Sequence, residues 1–91
     1  MNGAAASPAP VTGTGQVVAG PGVYQGLSIR NTSGSTAVYQ LYDGTAASGT
    51  LVATFQLPAG GSAVDNPASG VYFGKGLWLQ AAAAVEGSIR V

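Results

Sequence analysis

VYQGLSIRNTSGSTAVYQLYDGTAASGTLVATFQL, from Val23 to Leu57, is the stretch that decides the fold. Three apolar runs are separated by two loops rich in Gly, Ser, Thr and Asn. Each run has the length of a strand, and none is long enough for a stable helix. The stretch reads as a three-stranded antiparallel meander. In the first run Val23, Gln25, Leu27 and Ile29 share one face and are expected inside. Tyr24, Gly26, Ser28 and Arg30 take the other face and are expected outside. Gly26 in mid-strand signals a bulge or a close backbone approach. Ala37–Asp43 is apolar on both faces, as a central or covered strand would be. Asp43-Gly44 opens a loop through Gly49. Leu51, Ala53, Phe55 and Leu57 then alternate with Val52, Thr54 and Gln56, and Pro58-Ala-Gly-Gly61 ends the run.

Outward from this stretch the same grammar continues. Gln16–Ala19 is a short edge strand closed by Gly20-Pro21-Gly22. Ser62–Asp65, Val71–Phe73, Leu77–Ala81 and Val85–Val91 are further strands. QAAAAVE is helical by propensity, but about ten residues bracketed by Gly76 and Gly87 make a poor helix, which leaves a helical turn around Ala81–Ala84 as the alternative to a strand end. Glu86 and Arg90 lie ~13 Å apart along a strand, so each must find a partner elsewhere. The sum is all-β: an antiparallel β-sandwich or small barrel of about seven or eight short strands. Residues 17–91 form the domain. Residues 1–16, MNGAAASPAPVTGTGQ, form a flexible or extended arm, in which Pro8 and Pro10 forbid a helix. Such an arm, with Val11, can lie on a neighbour or add to its sheet edge.

Composition narrows function. The chain has 91 residues, no Cys and no His, and only 7% charged residues, three positive and three negative. A domain this small buries only ~60–65% of its unfolded surface and leans on outside support. Without Cys, a disulfide or thiolate metal site is impossible, so partner subunits are the expected support. The zero net charge suits a protein packed against others. Three scattered cations exclude a nucleic-acid track. No apolar run reaches the ~20 residues of a membrane helix. The opening residues lack a basic n-region and an apolar h-region, so no secretory signal is expected.

A catalytic constellation is not found. Gly13-Thr-Gly15 with Gly20 lacks the strand, the GK[ST] and the helix of a nucleotide loop. Asp43 and Asp65, with Glu86 as a third, are the available carboxylates for acid–base work. They stand at strand ends, where acids serve as turn caps. Asn31 with Asp43 and Asp65 lacks calcium-loop spacing. Neither an enzyme nor a cofactor is expected. The aromatics are the better lead: Tyr24, Tyr42 and Trp78 as exposed anchors of an interface or a sugar-stacking platform, or Trp78 and Tyr39 as core. With them, Pro8, Pro10, Val11, Arg30, Glu86 and Arg90 are the candidate interface residues.

GVYQGLSIRNTSGSTAVYQLYDGTAASGTLVATFQLPAGGS, then GVYFGKGLWLQ and VEGSIRV, resemble a group of small tailed-bacteriophage virion proteins. These carry a G-x-Y-x-G-x-x-I-R segment, a V-x-L-Y-D-G segment, an A-S-G-T-L strand and a closing V-E-G-S strand. The likeness covers about Gly22 to Val91. It implies an antiparallel β-sandwich and a structural role as a capsid decoration (cement) protein on the phage head, with no catalytic residues. The implied partners are the major capsid protein and further copies, a trimer being the first guess, and the implied place is the virion surface after synthesis in the bacterial cytoplasm. A tail- or fibre-associated module and a carbohydrate-binding sandwich are the alternatives. Where the group carries a Gly- or Ser-bearing turn before V-E-G-S, this chain has Ala81–Ala84, which leaves the geometry of the last hairpin open.

Overall fold

A computed structural model describes residues 8–91, and residues 1–7 of the expected arm lie outside the described residues. The described chain is all-β, with ten strands in order: β1 Pro8–Val11, β2 Gly15–Ala19, β3 Gly22–Tyr24, β4 Gly26–Asn31, β5 Ala37–Asp43, β6 Thr50–Leu57, β7 Ser62–Asp65, β8 Val71–Phe73, β9 Gly76–Ala81 and β10 Val85–Arg90. The expected seven or eight become ten for two reasons. Pro8–Val11, placed in the arm on sequence, pairs with β10. The run from Gly22 to Asn31 is cut at Gln25, whose N–H leaves the ladder for Arg90 O at 2.8 Å.

The pairing has a simple logic. The first strand pairs with the last, the second with the ninth, the third with the eighth and the fourth with the seventh, down to the β5–β6 hairpin; every pair is antiparallel. The chain is thus one long two-stranded ribbon with its bend at Gly44–Gly49. Two further pairings, β10 with β4 and β9 with β5, gather the wrapped ribbon into sheets of order β1-β10-β4-β7 and β2-β9-β5-β6, with β3-β8 as a short third sheet. The arrangement is sandwich-like, with one apolar core formed by side chains of all three sheets.

This wrapping corrects the expected meander. β4 lies in the first four-stranded sheet and β5 and β6 in the second, so the link from β4 to β5 changes sheet. Asn31 makes that change possible. Its side chain is 0% exposed and donates to Ser35 O (2.8 Å) and Leu57 O (3.0 Å). Its Oδ1 accepts from Ser33 N–H (2.8 Å) and Ser33 Oγ (2.6 Å). One buried amide therefore supplies the bonds that neither sheet can give at the crossing. The Ala81–Ala84 region corrects in the same way. It is neither a helical turn nor a hairpin bend but a second crossing, from β9 to β10. Ala82 N–H donates to Val38 O (3.1 Å), and Ala84 O accepts from Thr32 N–H (3.2 Å) and Tyr39 Oη (2.9 Å). These bonds to β5 and to the loop after β4 outweigh the helical preference of four alanines.

Side-chain parity follows the breaks in the strands. Leu27, Ile29 and Ile89 point inward from one sheet and Tyr39, Leu41, Leu77 and Leu79 from the other. Tyr24 and Phe73 are buried from the short third sheet. The break at Gln25 resets the alternation, so Tyr24 is inside at 1% exposure and Val23 outside at 41%, opposite to the sequence expectation. On β6, Tyr42 faces Leu51 and Leu41 faces Ala53, so Val52 is the extra residue of a bulge. Val52 packs on the core in place of Leu51, which is half exposed.

Candidate functional site

The described chain presents two unlike outer faces. On the first sheet the outward positions are Pro8 and Pro10 of β1, Glu86, Ser88 and Arg90 of β10, Ser28 and Arg30 of β4, and Ser62 and Val64 of β7. Cross-strand register sets Pro8 beside Arg90, Pro10 beside Ser88, and Glu86 beside Arg30. Five of the residues singled out on sequence thereby meet on one face. Arg30 Nη1 donates to Glu86 Oε1 at 3.3 Å, the cross-strand partner that spacing along β10 ruled out for Arg90. Both side chains are more than half exposed, so the pair orders the surface without adding much stability.

Arg90 is held differently. Its guanidinium donates to Ser28 Oγ (3.3 Å), Asp65 O (3.1 Å) and Asn66 Oδ1. Gly26 makes room for it: at φ +138° any Cβ would meet Asp65 O and the Arg90 guanidinium. Below this lies Tyr24, whose Oη donates to Asp65 Oδ2 at 2.7 Å. Burial, then the hydrogen bond and charge of Asp65, push the Tyr24 phenol far above its ordinary pKa. Tyr24 is therefore a buried peg, not an exposed anchor. Val11 likewise lies inside, at 5% exposure. The small side chains Ser28 and Ser62 and the bare Gly87 leave a shallow trough of about 430 Å³ between the Arg30–Glu86 pair and Val64.

The second sheet is uncharged on its outer face. Its centre is a tile of four side chains on the two inner strands: Tyr42 opposite Trp78, and next to them Gln40 opposite Gln80. All four are half-buried. Tyr42 Oη donates to Gln40 Oε1 (3.0 Å), and Trp78 Nε1 donates to Gln80 Oε1 (3.4 Å). Each amide oxygen thus orients a ring, and each amide NH₂ remains a donor at the surface. The sequence flagged both rings; it gave no reason to flag the glutamines. Cross-strand register, which puts 40 against 80 and 42 against 78, is the missing signal.

The acids do not converge. Asp43, at the end of β5, accepts from Gly74 N–H and Lys75 N–H, both at 2.9 Å. Those bonds lower its pKa below the usual carboxylate range. Asp65 sits in the other sheet and is taken by Tyr24, while Glu86 is taken by Arg30. Asn31, the third member of the calcium reading, spends both ends of its amide on the crossing loop. Among the described residues no group of three or more acids lies close enough to hold a metal ion. Chemically, this arrangement offers flat contact: one face small, polar and ion-paired, the other aromatic and amide-bearing. Comparison with protein-family models, with curated proteins and with solved structures finds no match in any of the three.

Proposed function

We propose that the protein is a non-enzymatic structural component of a phage particle, a decoration protein that reinforces the outer surface of the head. The observation that carries this reading is the strand order. A two-stranded ribbon wrapped into sheets of order β1-β10-β4-β7 and β2-β9-β5-β6 has the order of a jelly-roll sandwich, an architecture used by viral shell domains. The sequence likeness to phage virion proteins points the same way. So does a surface with few charges and no net charge, suited to close packing on a shell.

In this reading the trough on the first sheet, with Pro8, Pro10, Arg30, Glu86 and Arg90 around it, faces the major capsid protein. Its small side chains let a neighbour's backbone approach closely, and the ion pair at its rim sets register. A stable contact buries about 800 Å² per partner, and shell symmetry repeats it. The test is to image virions of the phage that encodes the chain with a labelled copy. Label over the head supports the reading, label on the tail or fibre moves the protein to the alternative location, and its absence from purified virions overturns both. Ser62→Gln should fill the trough and abolish head binding at unchanged thermal stability.

The jelly roll is also a lectin architecture, and the Tyr42–Trp78–Gln40–Gln80 tile favours that as the second reading. Two rings can stack on a neutral sugar while two amides bond its hydroxyls. Tyr24, buried, is no part of that platform. Glycan binding abolished by Trp78→Ala supports this reading, and the absence of binding to any glycan removes it.

A further inference from the structure

The two large sheets leave four edges: β1 and β7 on one sheet, β2 and β6 on the other. An open edge invites another strand, and proteins blunt edges with prolines, kinks, short strands or charge. Three of these edges are blunted. β1 carries Pro8 and Pro10, which offer no N–H. β2 is broken by a register shift between Gln16 and Val18. β7 has four residues and ends in Asp65. β6 is the exception. It has eight residues, TLVATFQL, with no Gly, Pro or charge among them.

The ladder shows which of its backbone groups are unused. Val38 O accepts from Ala82 N–H, and Gly44 N–H donates to Gly76 O. The even residues of β5 therefore bond toward β9, and Tyr39 and Leu41 bond toward β6. Their partners on β6 are Phe55 and Ala53. It follows that Thr54 and Gln56 turn both N–H and C=O away from β5. Phe55 lies between them on the core side of the sheet, yet it is only half-buried. Nothing within the described chain covers its remaining edge.

We propose that β6 pairs antiparallel with β6 of a second copy, about a two-fold axis at Phe55, to make one continuous eight-stranded sheet. Thr54 of each copy then exchanges both backbone bonds with Gln56 of the other. Phe55 faces its own copy at a non-hydrogen-bonded position, where cross-strand side chains stand closest. On the axis Phe55 meets its own copy, so a charge at that position would oppose itself. The residues at the centre of the contact, Thr54, Phe55 and Gln56, carry none. The contact is a dimer, unlike the trimer guessed from the resemblance, and it holds whether or not the protein coats a shell.

The test is sedimentation equilibrium of the full chain from micromolar to millimolar concentration. A monomer–dimer equilibrium is expected. Thr54→Pro removes an outward N–H from each copy and no bond to β5. It should weaken the dimer by about tenfold or more, with an unchanged far-UV spectrum. In a chain without cysteine, Phe55→Cys should give a covalent dimer under mild oxidation. Val64→Cys, exposed on the other sheet, should not. A monomer at every concentration overturns the proposal. So does a dimer indifferent to Thr54→Pro in which Phe55→Cys fails to cross-link.

Discussion

Replacing Asn31 by Ala tests the idea that one buried amide holds the two sheets together at the β4–β5 crossing. Four hydrogen bonds disappear, but they are not equal. Ser33 and Ser35 lie in an exposed or half-exposed loop, so their freed groups bond to water at little cost. Leu57 is 7% exposed, and its carbonyl keeps only its ladder partner, Ala37 N–H. Losing a buried hydrogen bond costs about 0.5–1.5 kcal/mol, and the gap left by a fully buried side chain adds to it. A loss of about 1–3 kcal/mol is expected, against a total stability of roughly 5–14 kcal/mol for a chain of this length. In a domain this small that lowers Tm by about 4 °C or more. Urea denaturation of Asn31→Ala and Ser33→Ala should separate the terms, the second costing under about 1 kcal/mol. If Asn31→Ala unfolds within half a kcal/mol (about the floor for such effects) of the wild type, the Leu57 carbonyl does not depend on Asn31 and the reasoning fails.

Other outcomes follow from the same contacts. Tyr24 and Tyr39 both have raised phenol pKa values, from burial first. A raised pKa stabilises the fold below the unfolded value of about 10 and loses that contribution as pH climbs toward the folded value. Spectrophotometric titration should therefore show two of the four tyrosines ionising only as the protein unfolds. Asp43 has a lowered pKa, so its contribution is complete above about pH 4 and fades as pH falls through its folded value. Asp43→Asn should flatten the acid limb of a thermal stability–pH profile. Gly87 sits at φ +140° with Ser28 O and Ile29 Cα where a Cβ would go. Gly87→Ala should cost at least about 2 kcal/mol in urea denaturation. Glu86→Gln should cost less than about 1 kcal/mol and remove the salt dependence of the exposed pair.

Much of the fold is legible in single residues. The alternation Leu27–Ile29, the run Ala37–Asp43 and the punctuation at Pro58–Gly61 mark real strands. Whether neighbouring strands share a sheet is not written locally. Asn31 looks like any loop asparagine until Leu57 and Ser35 are brought to it. Parity fails at Val23–Tyr24 and at Leu51–Val52 because one irregular residue inverts every assignment on one side of it. Arg30 and Glu86 were identified as surface charges, but their pairing depends on a register between strands more than fifty positions apart. The aromatic tile was half visible, since rings declare themselves by type and glutamines do not.

The ribbon that begins and ends at β1–β10 also sets an order of events during synthesis. β10 lies between β1 and β4, so the sheet holding the first strand has no centre until β10 has left the ribosome. The hairpin at Gly44–Gly49 is the one pairing close in sequence, and every later pairing spans a longer loop. Nascent chains stalled before Val85 should remain open to protease however long they wait, and only release of the final strand should close the molecule.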